Sequence, residues 1–350
     1  MHIDFDTEIQ KHLGEIRKLR TSSGVFTASA QSVGTGYDKA WLRDNYFSVL
    51  GFLETGDIEM VRETARALLQ VFMKHEEKID WAIEHKPYET WQYIHARFHP
   101  ETFEEYWEEW GNRQNDAVGE VLDLIAELEL RGAGVVETDG ERAMVQKIVD
   151  YLIRIEYWHD TDNGIWEENL EVHASSIAAV LSAFKKSAQI SWLTIPPESI
   201  EKGERALRAL LPRESQEKFA DLALLTVIYP FHQATEEEVV EILKNVEYHL
   251  TRDKGVIRYK NDRYYNKNTD GFSEEAEWCM GLSWLSIIYA ERGDRERAQH
   301  YLERAQATMT HEGLIPELYF SHTEVPNENI PLCWAESMYV VALKKVRDLG

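Results

Sequence analysis

Helical periodicity runs the length of this chain in two alternating forms, and that alternation limits the fold more than any other feature. Segments at about 4–20, 57–75, 140–158, 198–210, 235–250 and 294–309 carry one apolar stripe opposite a charged face, the pattern of helices with one side in water. Segments at about 38–54, 114–130, 172–188, 216–230, 274–292 and 331–347 are apolar or small on most sides, the pattern of helices enclosed by protein. Almost no stretch alternates as a half-buried strand would. The order is outer then inner, six times over. A closed ring satisfies it. The expected fold is all-α, an (α/α) barrel of six helical hairpins with six inner and six outer helices, and residues 1–350 are read as one such domain.

Segment 76–113 interrupts the rhythm and is expected to be a long loop insertion. Loops of that length in a compact domain are functional or disordered, and its aromatic content argues against disorder. In a ring of hairpins all inner helices run the same way, so their N-terminal ends share one rim. Unusual polar residues fall at those ends: Arg43 and Asp44; Gln114, Asn115 and Asp116; Glu167 and Glu168; Arg258; and Glu317. Charges in an apolar helix such as "AWLRDNYF" cost several kcal/mol unless paired, so Arg43 and Asp44 are expected to pair. Trp81, Trp91, Trp107, Trp110 and Trp166 lie in polar stretches that a core would not recruit. Aromatic faces stack on sugar rings, and two acids across an aromatic-lined basin is the arrangement that glycoside hydrolysis requires.

Other classes of function fit poorly. A net charge of -24 repels nucleic acid and anionic membrane surfaces. Cys279 and Cys333 are the only cysteines, so neither a disulfide framework nor a cysteine zinc site is expected. The acidic start "MHIDFDTEIQKHLGEI" has no apolar core, and no run of about 18 apolar residues follows that would span a bilayer; a cytoplasmic location is expected. His95 and His99 in "HARFH" have the spacing of a metal pair on a helix but lack the HExxH glutamate and a third ligand, so no metal and no cofactor is expected. "SVGTGYD" follows no strand and carries no lysine, which excludes a phosphate loop. "EEYWEEW" at 104–110 reads as a solvated helix face. Residues 281–307 read like a tetratricopeptide hairpin, but the pattern does not recur every 34 residues or so as a peptide-binding solenoid requires.

Five stretches in register, "AWLRDNYFSVLGF", "NRQNDAVGEVL", "GIWEENLEVHASSIAAVLSAF", "GVIRYKNDRYYN" and "GLIPELYF…PLCWAES", resemble glycoside hydrolase family 15, the glucoamylases and glucodextranases. The likeness is greater still to the glucoamylase-like domain of phosphorylase kinase alpha and beta subunits. It implies an (α/α) barrel and an exo-acting, inverting hydrolase of α-glucosidic bonds, with an α-glucan or gluco-oligosaccharide as substrate; the kinase-subunit likeness implies the alternative of a silent sugar-binding or regulatory domain. Carried over by motif, Glu167 is the general acid and Glu317 the general base. Arg43 and Asp44 hold the terminal glucose, with Glu168 and Arg258 as further substrate contacts. Apart from the motifs, Gln114 and Asp116 at the shared rim and Trp41, Trp110, Trp166 and Trp334 are expected to bind substrate as well. The sequence departs from the family at Leu318, where a glutamine is usual, and shows no counterpart of the β-sandwich of bacterial members. For the chemistry, Glu167 must hold a proton near neutrality, which burial against Trp166 and repulsion from Glu168 are expected to favour. Glu317 must stay ionised, at roughly 6.5–9.5 Å from the acid so that a water fits between them.

Overall fold

The computed structural model of the chain describes residues 4–30, 34–108, 110–268, 271 and 273–350; parts of "SVGTGYD", "EEYWEEW" and the 255–272 segment lie outside them. In chain order its helices begin with α1 (Phe5–Lys18), α2 (Leu42–Thr55), α3 (Ile58–Lys74), α4 (Glu76–His85), α5 (Asn115–Leu130), α6 (Asp139–Ile155) and α7 (Ala174–Ser187). They continue with α8 (Pro197–Leu210), α9 (Leu225–Ile228), α10 (Glu236–Leu250), α11 (Met280–Glu291), α12 (Arg295–Gln306) and α13 (Cys333–Asp348). Two antiparallel strand pairs are minimal: β1 (Ala40–Trp41) with β2 (Arg97–Phe98), and β3 (Glu277–Trp278) with β4 (Leu318–Tyr319).

The inner ring closes. Helix α2 packs on α5, α5 on α7, α7 on α9, α9 on α11, α11 on α13, and α13 returns to α2. Each inner helix is buried nearly all round, as in α11 from Met280 to Ala290, whereas α12 buries only Ala298, Tyr301, Leu302 and Ala305. Five outer helices start on side-chain caps, where Asp4, Asp57, Thr138, Thr235 and Asp294 each accept a first-turn N–H; α8 starts on Pro196 and Pro197 without one. The inner helices α2, α5, α7, α11 and α13 start without one. Their open, electropositive ends favour acidic side chains nearby, and Asp44 and Asp116 occupy first turns there. The first and last hairpins are joined where Cys333 N–H donates to the Ala28 carbonyl at 2.9 Å and Ser29 Oγ to that of Pro331 at 2.8 Å. Both cysteines are free and buried, and no helix among the described residues is long and apolar enough to cross a membrane.

Three expectations need correction. The inner helix expected over 216–230 is helical only in a 3-10 turn, Leu222–Leu224, and in α9. Ser215 Oγ accepts the N–H groups of Glu217 and Lys218 at 3.2 and 3.0 Å, which turns the chain early, and Pro230 has no N–H with which to continue the helix. Segment 76–113 is not all loop, since it opens with α4 and contributes β2. Within it "EEYWEEW" is irregular rather than helical: Glu104, Glu105 and Glu108 pair with Lys74, Lys78 and Arg97 at 2.5, 2.9 and 2.6 Å, which ties the segment to α3, α4 and β2. Strand β2 also separates His95 from His99, so the two share no helix face, and no group of three or more potential metal ligands occurs among the described residues.

Candidate active site

"GIWEEN" folds as a pinned turn. Its base is the bridge between Asp162 and Glu171, with N–H to carbonyl distances of 2.8 and 3.0 Å. Within it Glu167 N–H donates to the Gly164 carbonyl at 3.1 Å. Gly164 has φ +60°, and a Cβ there would lie 2.8 Å from the His173 ring, so the turn rests directly on the start of α7. Gly111 meets the turn from the other side, where a Cβ would lie 2.6 Å from the Glu167 carbonyl oxygen. Glu167 itself has φ +62°, a backbone conformation that non-glycine residues hold only when the surroundings impose it. Trp166 fixes the orientation further, its indole N–H donating to Asp221 at 2.7 Å.

The Glu167 carboxylate accepts from Arg43 Nη2 at 2.6 Å. Burial pushes its pKa up to about 7; Arg43 opposes the rise and the charge of Asp44 adds to it. The repulsion expected from Glu168 is therefore supplied by Asp44. Glu168 is engaged elsewhere, accepting from Arg258 at 2.7 Å and from the Tyr259 hydroxyl, with Lys218 at 3.8 Å. Arg258 in turn grips Asp262 with two hydrogen bonds of 2.7 and 2.6 Å and lies over the Tyr264, Trp278 and Trp166 rings.

Glu317 is held differently. One oxygen accepts from the Tyr37 hydroxyl at 2.7 Å, the other from the amides of Asn327 and Asn329 at 2.5 and 2.7 Å. Burial raises its pKa, while Asn329, Tyr37, Asn327 and Arg258 all work against the rise. Three donors on one carboxylate is the bonding of its ionised form. The two acids share no hydrogen bond.

Ten of the twelve expected site residues line one cavity of about 470 Å³: Trp41, Arg43, Asp44, Trp110, Trp166, Glu167, Glu168, Arg258, Glu317 and Trp334. Trp334 presents a ring backed by Phe47 at 4.2 Å, and Trp41 meets Trp110 edge-on at 6.2 Å. Gln114 and Asp116 do not line it. They hold Arg43 instead, accepting from its Nη1 at 2.7 and 3.2 Å. Arg43 and Asp44 do not form the expected ion pair either; neighbours on one helix point apart, and Arg43 pairs with Asp116 and Glu167. Asp44 faces the cavity with a pKa pushed up to about 6 by burial, Arg43 opposing and Glu317 adding. Leu318 is fully buried in β4 and does not line the cavity, since successive strand residues point to opposite sides.

The sequence reading missed the holders of Glu317. Asn327 and Asn329 sit two apart in "PNENIP", a spacing that puts both on one side of an extended chain, and Tyr37 lies in the glycine-flanked stretch set aside as a failed phosphate loop. It also missed Arg97, which lies 4.1 Å from the Trp110 ring centre and lines the cavity with Tyr264 and Trp278.

Comparison with known proteins bears on the family and the fold. Residues 14–205, more than half of the chain, match the profile of glycosyl hydrolases family 15. Among curated proteins, the liver isoform of phosphorylase b kinase regulatory subunit alpha from Mus musculus is 24% identical over 87% of this chain and 30% of its own length. The probable subunit alpha from Caenorhabditis elegans is 28% identical over 67% of this chain and 23% of its own. The chain thus spans about a third or less of these relatives. Among solved structures, a glycosidase superposes with a TM-score of 0.83 at 19% identity, covering 98% of this chain and 97% of its own. A bacterial glucoamylase in complex with acarbose gives 0.75 at 16% identity over 99% and 57%. These superpositions establish a glucoamylase-like barrel fold. By the extent of the profile match, the chain belongs to glycosyl hydrolases family 15.

Proposed function

We propose that this protein is an exo-acting, inverting hydrolase of α-glucosidic bonds in α-1,4- or α-1,6-linked gluco-oligosaccharides or in trehalose. The observation that carries the reading is the contrast between two carboxyl groups on one cavity: Glu167 lifted to about 7 by burial, and Glu317 surrounded by three donors. Burial raises both carboxyl groups, but Glu317 alone has three donors favouring its ionised form, and such a difference in surroundings separates an acid from a base. Glu167 gives its proton to the glycosidic oxygen as the bond to the anomeric carbon breaks. Water attacks that carbon from the opposite face and passes its proton to Glu317. The products are β-glucose and the remaining saccharide with a free hydroxyl at the former linkage, and solvent returns the proton to Glu167 and removes the one on Glu317. Glucose released from maltose, isomaltose or trehalose tests the reading; no release from these or their longer oligomers overturns it.

Asp44 is the grip on the terminal glucose, with Arg43 setting Glu167 rather than the sugar. Asp44→Ala is therefore expected to lose glucose and acarbose affinity in calorimetric titration while melting near the parent temperature, since Arg43 keeps Asp116, Gln114 and Glu167. Undiminished binding contradicts the grip. A second reading, a sugar-binding regulatory domain, is favoured by the regulatory-subunit names of the curated relatives; ligand binding with no glucose release from any α-glucoside would select it.

A further inference from the structure

Three charged residues that the proposed chemistry does not use meet at the turn that carries Glu167. His173, Asp162 and Glu214 are buried, and none of them lines the cavity. His173 precedes α7 with its ring against Gly164, where a Cβ would lie 2.8 Å from Nε2. Its Nδ1 is 3.3 Å from Glu214 Oε1, and its Nε2 is 4.0 Å from Asp162 Oδ1. Burial alone would lower the pKa of this ring; the bond to Glu214 and the charge of Asp162 outweigh it and lift the value to about 9, with Lys218 opposing. An imidazolium and two carboxylates are costly to bury unless paired, and here each of them reaches a different part of the site.

Asp162 closes the base of the turn through its bridge to Glu171, and its Oδ2 accepts the N–H of Asn115 at 2.9 Å. Asn115 opens α5 between Gln114 and Asp116, the two residues that hold Arg43, which donates to Glu167. Glu214 accepts from the Ser175 hydroxyl, and its carbonyl takes the Ala174 N–H at 2.7 Å. Farther along the same segment Asp221 takes the indole N–H of Trp166.

We infer that His173 is a positioning residue for the acid: its charged ring clamps Asp162 to Glu214 and so keeps Glu167 in the orientation from which it can protonate the leaving oxygen. The inference rests on the function proposed above. Glu167 has φ +62°, a conformation that persists only where the surroundings over-determine it, and the clamp supplies that constraint. Two routes lead from the ring to the carboxylate. One runs through the backbone at Gly164, the other through Asp162 and the start of α5 to Arg43. Neither passes through Asp44 or Trp334, so affinity for the terminal glucose is expected to stay as it is.

The test compares kcat on maltose, isomaltose or trehalose with kcat on a 4-nitrophenyl α-glucoside in the parent, His173→Gln and Glu214→Gln. Each variant removes a charge and keeps a group that can hydrogen-bond. In His173→Gln the misplaced acid is expected to lower turnover of the unactivated sugar about 10–10²-fold. The nitrophenyl substrate, whose leaving group needs no proton, should lose much less, and calorimetric titration with glucose should give the parent affinity. Glu214→Gln, which leaves the ring in place, should show the same split to a smaller degree. Unchanged turnover in His173→Gln overturns the inference. So does an equal loss on both substrates or a loss of glucose affinity, which general loosening of the barrel would produce.

If the parent cleaves no α-glucoside, the function above has failed and hydrogen exchange decides this inference separately. The N–H groups of Glu167 and Glu168 donate to the Gly164 and Asn163 carbonyls at 3.1 and 3.0 Å. In His173→Gln both should lose protection while α11 keeps that of the parent. Unaltered protection in the turn overturns the clamp, and so does a loss that extends to α11, which would make His173 a residue of the fold as a whole.

Discussion

Replacing Glu167 by glutamine is expected to lower turnover of unactivated α-glucosides about 10²–10⁴-fold, the usual contribution of general-acid assistance, with sugar binding near the parent level. Glutamine retains an oxygen for the 2.6 Å hydrogen bond from Arg43 but has no proton to give to an alkoxide leaving group. A 4-nitrophenyl α-glucoside, whose phenolate leaves without protonation, should lose much less. The parent pH profile follows from the same proton. Glu167 with a pKa of about 7 is competent in its protonated form, so turnover should decline as pH rises through about 7, and it should decline again at acid pH as Glu317 is protonated. The substitution Glu168→Gln serves as the contrast: it weakens the links to Arg258 and Tyr259 and should act on affinity more than on leaving-group sensitivity. Equal, modest effects of both substitutions on all substrates would remove Glu167 from the role of acid.

Loss of Glu317 should be as severe for a different reason. In Glu317→Ala the water has no base, and turnover is expected to fall about 10²–10⁴-fold for natural and nitrophenyl substrates alike, because the missing assistance lies on the nucleophile's side. The vacated space beside Tyr37, Asn327 and Asn329 admits azide, which needs no base. With Glu167 still protonating the leaving oxygen, azide should restore turnover and yield β-glucosyl azide. Three donors lose their acceptor in this variant, at a cost of about 1–3 kcal/mol for each that is left buried and unbonded. Glu317→Gln, which keeps an oxygen for the two asparagines, should fold normally and remain as slow. Azide rescue giving the α-azide, or full activity in Glu317→Gln, would contradict the assignment.

Much of this was legible in the sequence because helical burial is written locally. The contrast between α11, apolar on every side, and α12, with its single stripe, needs no knowledge of partners, and once the inner helices share a direction Arg43, Glu167 and Glu317 must approach one rim. Fourth in the ring, α9 was misjudged because the apolar run 222–228 is followed by Pro230 and preceded by the Ser215 turn, local signals outweighed by composition. Pairing was less legible. Arg43 and Asp44 are adjacent in sequence, yet the partners of Arg43 are Gln114, Asp116 and Glu167, brought from two other hairpins. Leu318 shows the converse: adjacency to Glu317 suggests a role in the chemistry, but an extended chain points successive side chains to opposite sides, and the donors that hold Glu317 come from 10 and 12 residues later and from Tyr37 at the other end of the chain.

Single displacement across one cavity is the central claim, and the anomer first released tests it most directly. Proton NMR during the first minutes of hydrolysis, before mutarotation mixes the anomers, should show the β-glucose signal growing ahead of the α. If α-glucose appears first, configuration is retained, and Glu167 and Glu317 are not an acid and base acting on a water between them.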